Sequence, residues 1–138
     1  MPGMYSEEML RNYIEKRRSI LGDYYTEIFH KYHVWLRRQG LSDTTRYLRL
    51  RIAYMFLKFL KENEVKIEEI NQKVIDDFID NVTDRYDPNT LYKVITTLRS
   101  ILKFLDQRIG LETSKISLPR IKRPKKLPNI LEEEEIIR

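Results

Sequence analysis

Leu41-Ser42-Asp43-Thr44-Thr45-Arg46-Tyr47-Leu48-Arg49-Leu50-Arg51-Ile52-Ala53-Tyr54-Met55-Phe56-Leu57-Lys58-Phe59-Leu60 opens on capping residues and continues with apolar side chains at helical spacing. Ser42 or Asp43 is suited to accept a hydrogen bond from the free N–H groups of a helical first turn. Leu48, Ile52, Met55, Phe56 and Phe59 form an apolar stripe. The other side carries Tyr47, Arg51, Tyr54, Lys58 and Lys61. The pattern predicts a helix with one face for a core and one basic, aromatic face for an anionic partner.

Upstream, Gly40 stands where a glycine ends a helix. The helix it ends spans Asp23 to Gln39, with Tyr25, Ile28, Phe29, Tyr32, Trp35 and Leu36 on its apolar face. Gly22-Asp23 separates it from a leading helix over Glu7 to Ile20, where Leu10, Tyr13, Ile14 and Arg17 recur at helical spacing. Downstream, Asn63 ends the central helix and Val65 to Ile70 is a short connection. Asn71 caps a helix of about 13 residues that buries Val74, Ile75, Phe78, Ile79 and Val82. Asp76, Asp77, Asp80 and Asp84 cover its outside, so it faces away from any nucleic acid.

Asp87-Pro88-Asn89-Thr90 is a helix start with proline in the first turn. That helix runs to about Arg108 and directs Leu91, Val94, Ile95, Leu98, Ile101, Leu102 and Leu105 inward. Asn89, Lys93, Thr96, Ser100, Lys103 and Gln107 occupy the opposite face. Gly110 stops it. From Ser117 the periodicity fails, and Pro119, Pro124 and Pro128 alternate with Arg120, Lys122, Arg123, Lys125 and Lys126. This reads as an extended basic linker. Glu132 to Ile137 reads as the first turns of another helix.

The 138 residues suit one domain with tails, and 41% apolar content suffices for a core. The chain has no Cys, which excludes a disulfide framework and Cys-ligated zinc and fits a reducing cytoplasm. Met1 to Leu21 lacks an apolar run of signal length, and the longest apolar block, Ile52 to Leu57, is too short to cross a membrane. The net charge of +5 is unevenly spread: segment 41–62 carries +3, 63–87 carries −5, 88–108 carries +3 and 109–127 carries +5. A polyanion partner explains this polarity, as do ordinary solvated faces.

Two helices with polar, basic faces, each starting in Ser, Thr or Asn, are what DNA docking requires. Cations neutralise phosphates, hydroxyls and N–H groups position the backbone, and a helix fits the major groove. The same pattern fits solvated faces of a bundle, with Tyr47 and Tyr54 partly buried against the first helix. Glu27, His30 and His33 share a helical face, yet no other ligand cluster completes a metal site. No glycine-rich phosphate loop and no nucleophile–base set is present, so neither cofactor, metal nor catalytic residues are expected.

Three stretches resemble the N-terminal core-binding domain of tyrosine recombinases, the phage-integrase and Xer-like enzymes. Gly40-Leu41-Ser42-Asp43-Thr44-Thr45 with Leu57-Lys58-Phe59-Leu60 is similar to the family's second helix. Thr90-Leu91-Tyr92-Lys93-Val94-Ile95-Thr96-Thr97-Leu98-Arg99-Ser100-Ile101-Leu102-Lys103-Phe104-Leu105 is similar to its fourth. Leu118-Pro119-Arg120-Ile121-Lys122-Arg123-Pro124-Lys125-Lys126-Leu127-Pro128, then Leu131 and Glu135-Ile136, resembles its interdomain linker. Arg49 and Ala53 stand where the family usually has Tyr and Leu, and Lys93 replaces a common Arg.

The resemblance implies an all-α fold: a four-helix, SAM-like core-binding bundle over 23–112. It is preceded by a partly helical extension over 1–22 and followed over 113–138 by the basic linker and the start of a catalytic domain. The implied function is DNA binding at a recombination core site, as half of a C-shaped clamp. The partners are double-stranded DNA and other recombinase protomers, without a membrane. Strand breakage belongs to the domain beyond, so this chain is not expected to be an enzyme on its own. By position, Ser42, Thr44, Thr45 and Arg46 meet DNA at the start of the second helix, with Arg49, Arg51 and Lys58 as phosphate contacts. Asn89, Thr90, Lys93, Thr96, Arg99, Ser100 and Lys103 serve the fourth helix. Lys122, Arg123, Lys125 and Lys126 follow the backbone along the linker. Arg99 has an alternative role, orienting an acid inside the bundle. The rival function is a protein-interaction bundle mediating protomer contacts.

Overall fold

In the computed structural model, which describes residues 5–120, every regular element is helical: α1 (Glu7–Glu15), α2 (Arg18–Arg38), α3 (Asp43–Glu62), α4 (Gln72–Thr83) and α5 (Pro88–Phe104). A 3-10 turn at Ile67–Glu69 joins α3 to α4. A π turn at Leu105–Ile109 and a 3-10 turn at Thr113–Lys115 follow α5. No strand occurs among the described residues.

The helix starts follow local side-chain chemistry. The Ser6, Ser42, Asn71 and Asp87 side chains each accept a hydrogen bond from the backbone N–H three residues on, satisfying a donor that has no partner within its helix. After α5, Gly110 adopts the left-handed conformation, and its N–H bonds back to the Leu105 and Asp106 carbonyls.

The leading helix is shorter than its periodicity predicts: it ends at Glu15, and Arg18–Leu21 already belong to α2. Arg17 closes α1 by donating to the Tyr13 carbonyl at 2.8 Å. Gly22 puts a kink into α2 at φ +81° and ψ 168°, backbone space that is essentially reserved for glycine. Arg18 braces this corner, reaching Glu15 at 2.8 Å, Asp23 at 2.7 Å and Glu27 at 3.1 Å.

α3 runs through the middle and packs against α1, α2 and α5. Its buried side chains are Leu50, Ile52, Ala53, Phe56, Leu57 and Leu60, while Leu48, Met55 and Phe59 are half-buried. The expected single stripe is thus widened, because a helix touched from several sides needs an apolar arc wider than one seam. α4 joins through Phe78, whose ring lies edge-on to Phe56 and Phe59 at 5.1 and 5.3 Å. Val74 and Ile79 are half-buried, whereas Ile75, Phe78 and Val82 are buried.

α2 and α5 meet through Tyr32, Trp35 and Phe104, whose ring centroids lie 5.5 to 6.1 Å apart. Leu10 and Ile14 of α1, with Leu21, belong to the same buried cluster as Phe29, Phe56 and Leu98. Each such side chain contributes about 1.5–3 kcal/mol on burial, so α1 is held by its apolar face as well as its polar contacts. The segment after α5 folds back: the Thr113 hydroxyl donates to the Leu102 carbonyl at 2.6 Å, and the Gln72 amide exchanges two hydrogen bonds with the Ser117 backbone.

Candidate nucleic-acid interface

The start of α3 carries the first group of expected contacts. Ser42 and Thr44 are exposed and Thr45 is half-buried. The Ser42 hydroxyl accepts from the Thr45 N–H at 3.2 Å and donates to the Thr45 hydroxyl at 3.0 Å. The Asp43 carboxylate accepts from the N–H groups of Thr44 at 2.7 Å and Tyr5 at 2.9 Å. The first turn therefore satisfies these two donors internally and holds a negative charge beside them. The Ser42 and Thr44 hydroxyls also donate within the turn, to the Thr45 hydroxyl and, at 3.4 Å, to the Asp43 carboxylate.

Arg46 points toward α1 and not outward. Its guanidinium is bonded to the Glu7 carboxylate and lies 3.5 Å from the His33 ring, and its side chain is only 11% exposed. Its side chain is spent inside the bundle in this arrangement, because Glu7 sits directly opposite it. Burial pushes Glu7 upward, but the Arg46 hydrogen bond and charge, with His33 and Arg37, outweigh this and leave it below the usual carboxylate value. Burial holds His33 below the ordinary histidine value, against the pull of Glu7 at 3.6 Å.

The aromatic side of α3 is covered as well. Tyr5 stacks on Tyr47 at 4.3 Å, and Tyr13 meets Tyr47 edge-on at 5.4 Å. Arg17 lies 3.5 Å above the Tyr13 ring and 5.2 Å from the Tyr54 ring. The alternative in which Tyr47 and Tyr54 pack on the first helix is the one found. Arg51 and Lys58 stay exposed, Arg51 near the Tyr47 face at 5.9 Å and Lys58 at 3.9 Å from Glu62. Arg49 is half-buried and faces the Tyr32 hydroxyl.

On α5 the expected outer face splits. Asn89, Lys93, Arg99 and Lys103 are exposed, while Thr90 and Thr96 are half-buried. Ser100 departs from the expected face and is buried: its hydroxyl lies 2.9 Å from that of Tyr32. Position 100 falls where α2 crosses α5, so a small hydroxyl is sealed between the helices. The four linker cations Lys122, Arg123, Lys125 and Lys126 lie outside the described residues.

Arg99 and Lys103 line an open groove of about 650 Å3 between the end of α5 and the returning segment, together with Arg120. Arg120 was not among the expected contacts, although it begins the basic run that the sequence displays. Asp76, Asp77 and Asp80 of α4, and Asp84 just beyond its end, are exposed.

Among the described residues no group of three or more His, Asp or Glu side chains is placed to hold a metal ion. Glu27 engages Arg18, and His30 contacts Glu15, whose carboxyl the Arg18 and His30 hydrogen bonds bring down to about 2. Burial raises the phenols of Tyr13, Tyr24, Tyr25 and Tyr32, the last pushed up to about 12, opposite to the direction of an activated nucleophile. No described helix is long and apolar enough to cross a membrane. Comparison with protein-family models, curated proteins and solved structures returns no match.

Proposed function

We propose that this chain is a double-stranded-DNA-binding module of the type found at the N-terminus of tyrosine recombinases, with α2 to α5 as a SAM-like four-helix bundle. The observation that carries the reading is the contrast in charge between α5 and α4. Lys93, Arg99 and Lys103 project from α5 with no carboxylate within 4 Å among the described residues, while α4 displays exposed Asp76, Asp77 and Asp80, with Asp84 just beyond its end. Cations without such partners attract a polyanion, and uncompensated aspartates repel it.

In this role the module grips one side of a recombination core site. Exposed cations of α5 and α3 neutralise phosphates, and the Ser42, Thr44 and Thr45 hydroxyls position the backbone. The chain binds DNA and leaves strand breakage and rejoining to a separate catalytic domain. A salt titration on duplex DNA tests this. With roughly 5 phosphates neutralised, log affinity falls against log salt with a slope of about −4 to −5. No binding at low ionic strength would refute it, and amide shifts confined to residues 72–84 on adding DNA would refute the orientation.

A protein-interaction bundle is the second reading. Val34 and Ile109, 41% and 37% exposed, flank Trp35 and Phe104 in a shallow groove between α2 and the π turn. Growth of the mass with protein concentration, without DNA and with no affinity for duplex, would favour it.

A further inference from the structure

Resting on the DNA-binding reading, we propose that the groove between the C-terminal half of α5 and the segment 113–120 is a track for one sugar–phosphate strand, with Arg120 as a phosphate-binding residue. Three cations from two separate parts of the chain converge there: Arg99 and Lys103 from α5, and Arg120 from the returning segment. All three are exposed, and none has a carboxylate within 4 Å among the described residues. By contrast, Arg18, Arg46 and Lys73 each engage an acidic partner.

The floor is apolar, formed by Leu102, Ile116 and Leu118. Sugar carbons of a strand can lie on such a floor while its phosphates meet the rim. The groove is held open by defined contacts: Thr113 to the Leu102 carbonyl, and Ser117 to Gln72. It thus precedes any ligand, which lowers the ordering cost of binding. Asp106 is the one acidic side chain on its wall, with its carboxylate bonded to the Ser114 N–H at 3.3 Å and to the Ser114 hydroxyl.

The track also resolves a conflict in the expected interface. The aromatic side of α3 is occupied by α1, so a strand crossing it would have to displace Tyr5 and Tyr13. A strand along the α5 groove displaces neither of these rings.

The test is duplex binding by fluorescence anisotropy over a salt series, with the whole chain. Arg120→Gln is expected to weaken binding several-fold and to reduce the salt slope by about 1, and Arg99→Gln/Lys103→Gln by about 2. Asp106→Asn is expected to tighten binding, an effect that loss of a merely structural contact does not produce. If wild type binds duplex but Arg120→Gln and Asp106→Asn leave affinity and slope unchanged, the groove is not the track, although the DNA-binding reading stands. If wild type binds no duplex, both fall. Arg120-dependent binding of a poly-glutamate peptide without duplex binding would assign the groove to an acidic protein segment and overturn the proposal.

Discussion

The Tyr32 hydroxyl of α2 and the Ser100 hydroxyl of α5 lie 2.9 Å apart in the interior, with Arg49 of α3 facing the same phenol. Three helices thereby share one buried polar contact. Replacing Ser100 by Ala removes this partner and leaves Arg49 as the polar group facing the phenol, so the expected loss lies at the low end of about 1–3 kcal/mol. Ser100→Ala is therefore expected to lower the urea midpoint while leaving duplex affinity unchanged. The reverse result, intact stability with weakened DNA binding, would place Ser100 at the interface.

Glu7 and Arg46 make the corresponding contact between α1 and α3. Neutralising Glu7 removes a charge-assisted hydrogen bond and leaves a guanidinium of low exposure without its counter-charge. Because Glu7 itself is a third exposed, the expected loss for Glu7→Gln is toward the low end of about 1.5–3 kcal/mol. Thermal unfolding measures it. Duplex affinity is expected to stay level, and a rise would show that α1 screens Arg46 from DNA.

Acid should loosen the same corner. His33 is held below 6.5 in the fold, so the unfolded chain takes up its proton first as pH falls. Stability is therefore present in full above pH 6.5 and declines as pH falls through 6.5 toward the lower folded value. Glu7, held below 4.5, adds a second decline of the same sign as pH falls through 4.5 and on through its folded value. Denaturation midpoints measured from pH 8 downward should fall in these two windows, and His33→Asn should flatten the upper one. A flat profile between pH 7 and 5 in the parent chain would contradict the account.

Gly22 marks the kink in α2 in a backbone region that side chains rarely enter, with the Lys61 ammonium 3.4 Å from where a Cβ would sit. Lys61 is flexible and can retreat, so the cost of Gly22→Ala is set by the backbone, about 1–3 kcal/mol. Thermal denaturation should show this loss. Gly40→Ala, also at positive φ but with open space around it, offers a comparison in which only backbone strain acts. No loss at Gly22 would mean that the corner relaxes into ordinary helix.

The sequence alone settles the helical character, the capped starts of α3, α4 and α5, and the acidic outer side of α4, because these follow from spacing and chemistry within a few residues. Leu91, Val94, Leu98 and Leu102 face inward for this reason alone. The tertiary structure decides which polar faces stay open. Periodicity marks Ser100 and Tyr47 as outward; for Tyr47 the sequence leaves a solvated face and packing on the first helix equally open, and for Ser100 it names no covering helix. Their covering depends on α2 crossing α5 at Tyr32 and on Tyr5 and Tyr13 lying against Tyr47 of α3, contacts between residues 34 to 68 positions apart. Arg46 likewise reads as a free cation until Glu7 is brought opposite it, and Arg120 becomes a neighbour of Arg99 and Lys103 only because the chain folds back after Gly110. A residue's own type and spacing set its charge and its preferred face; long-range packing alone determines what that face meets.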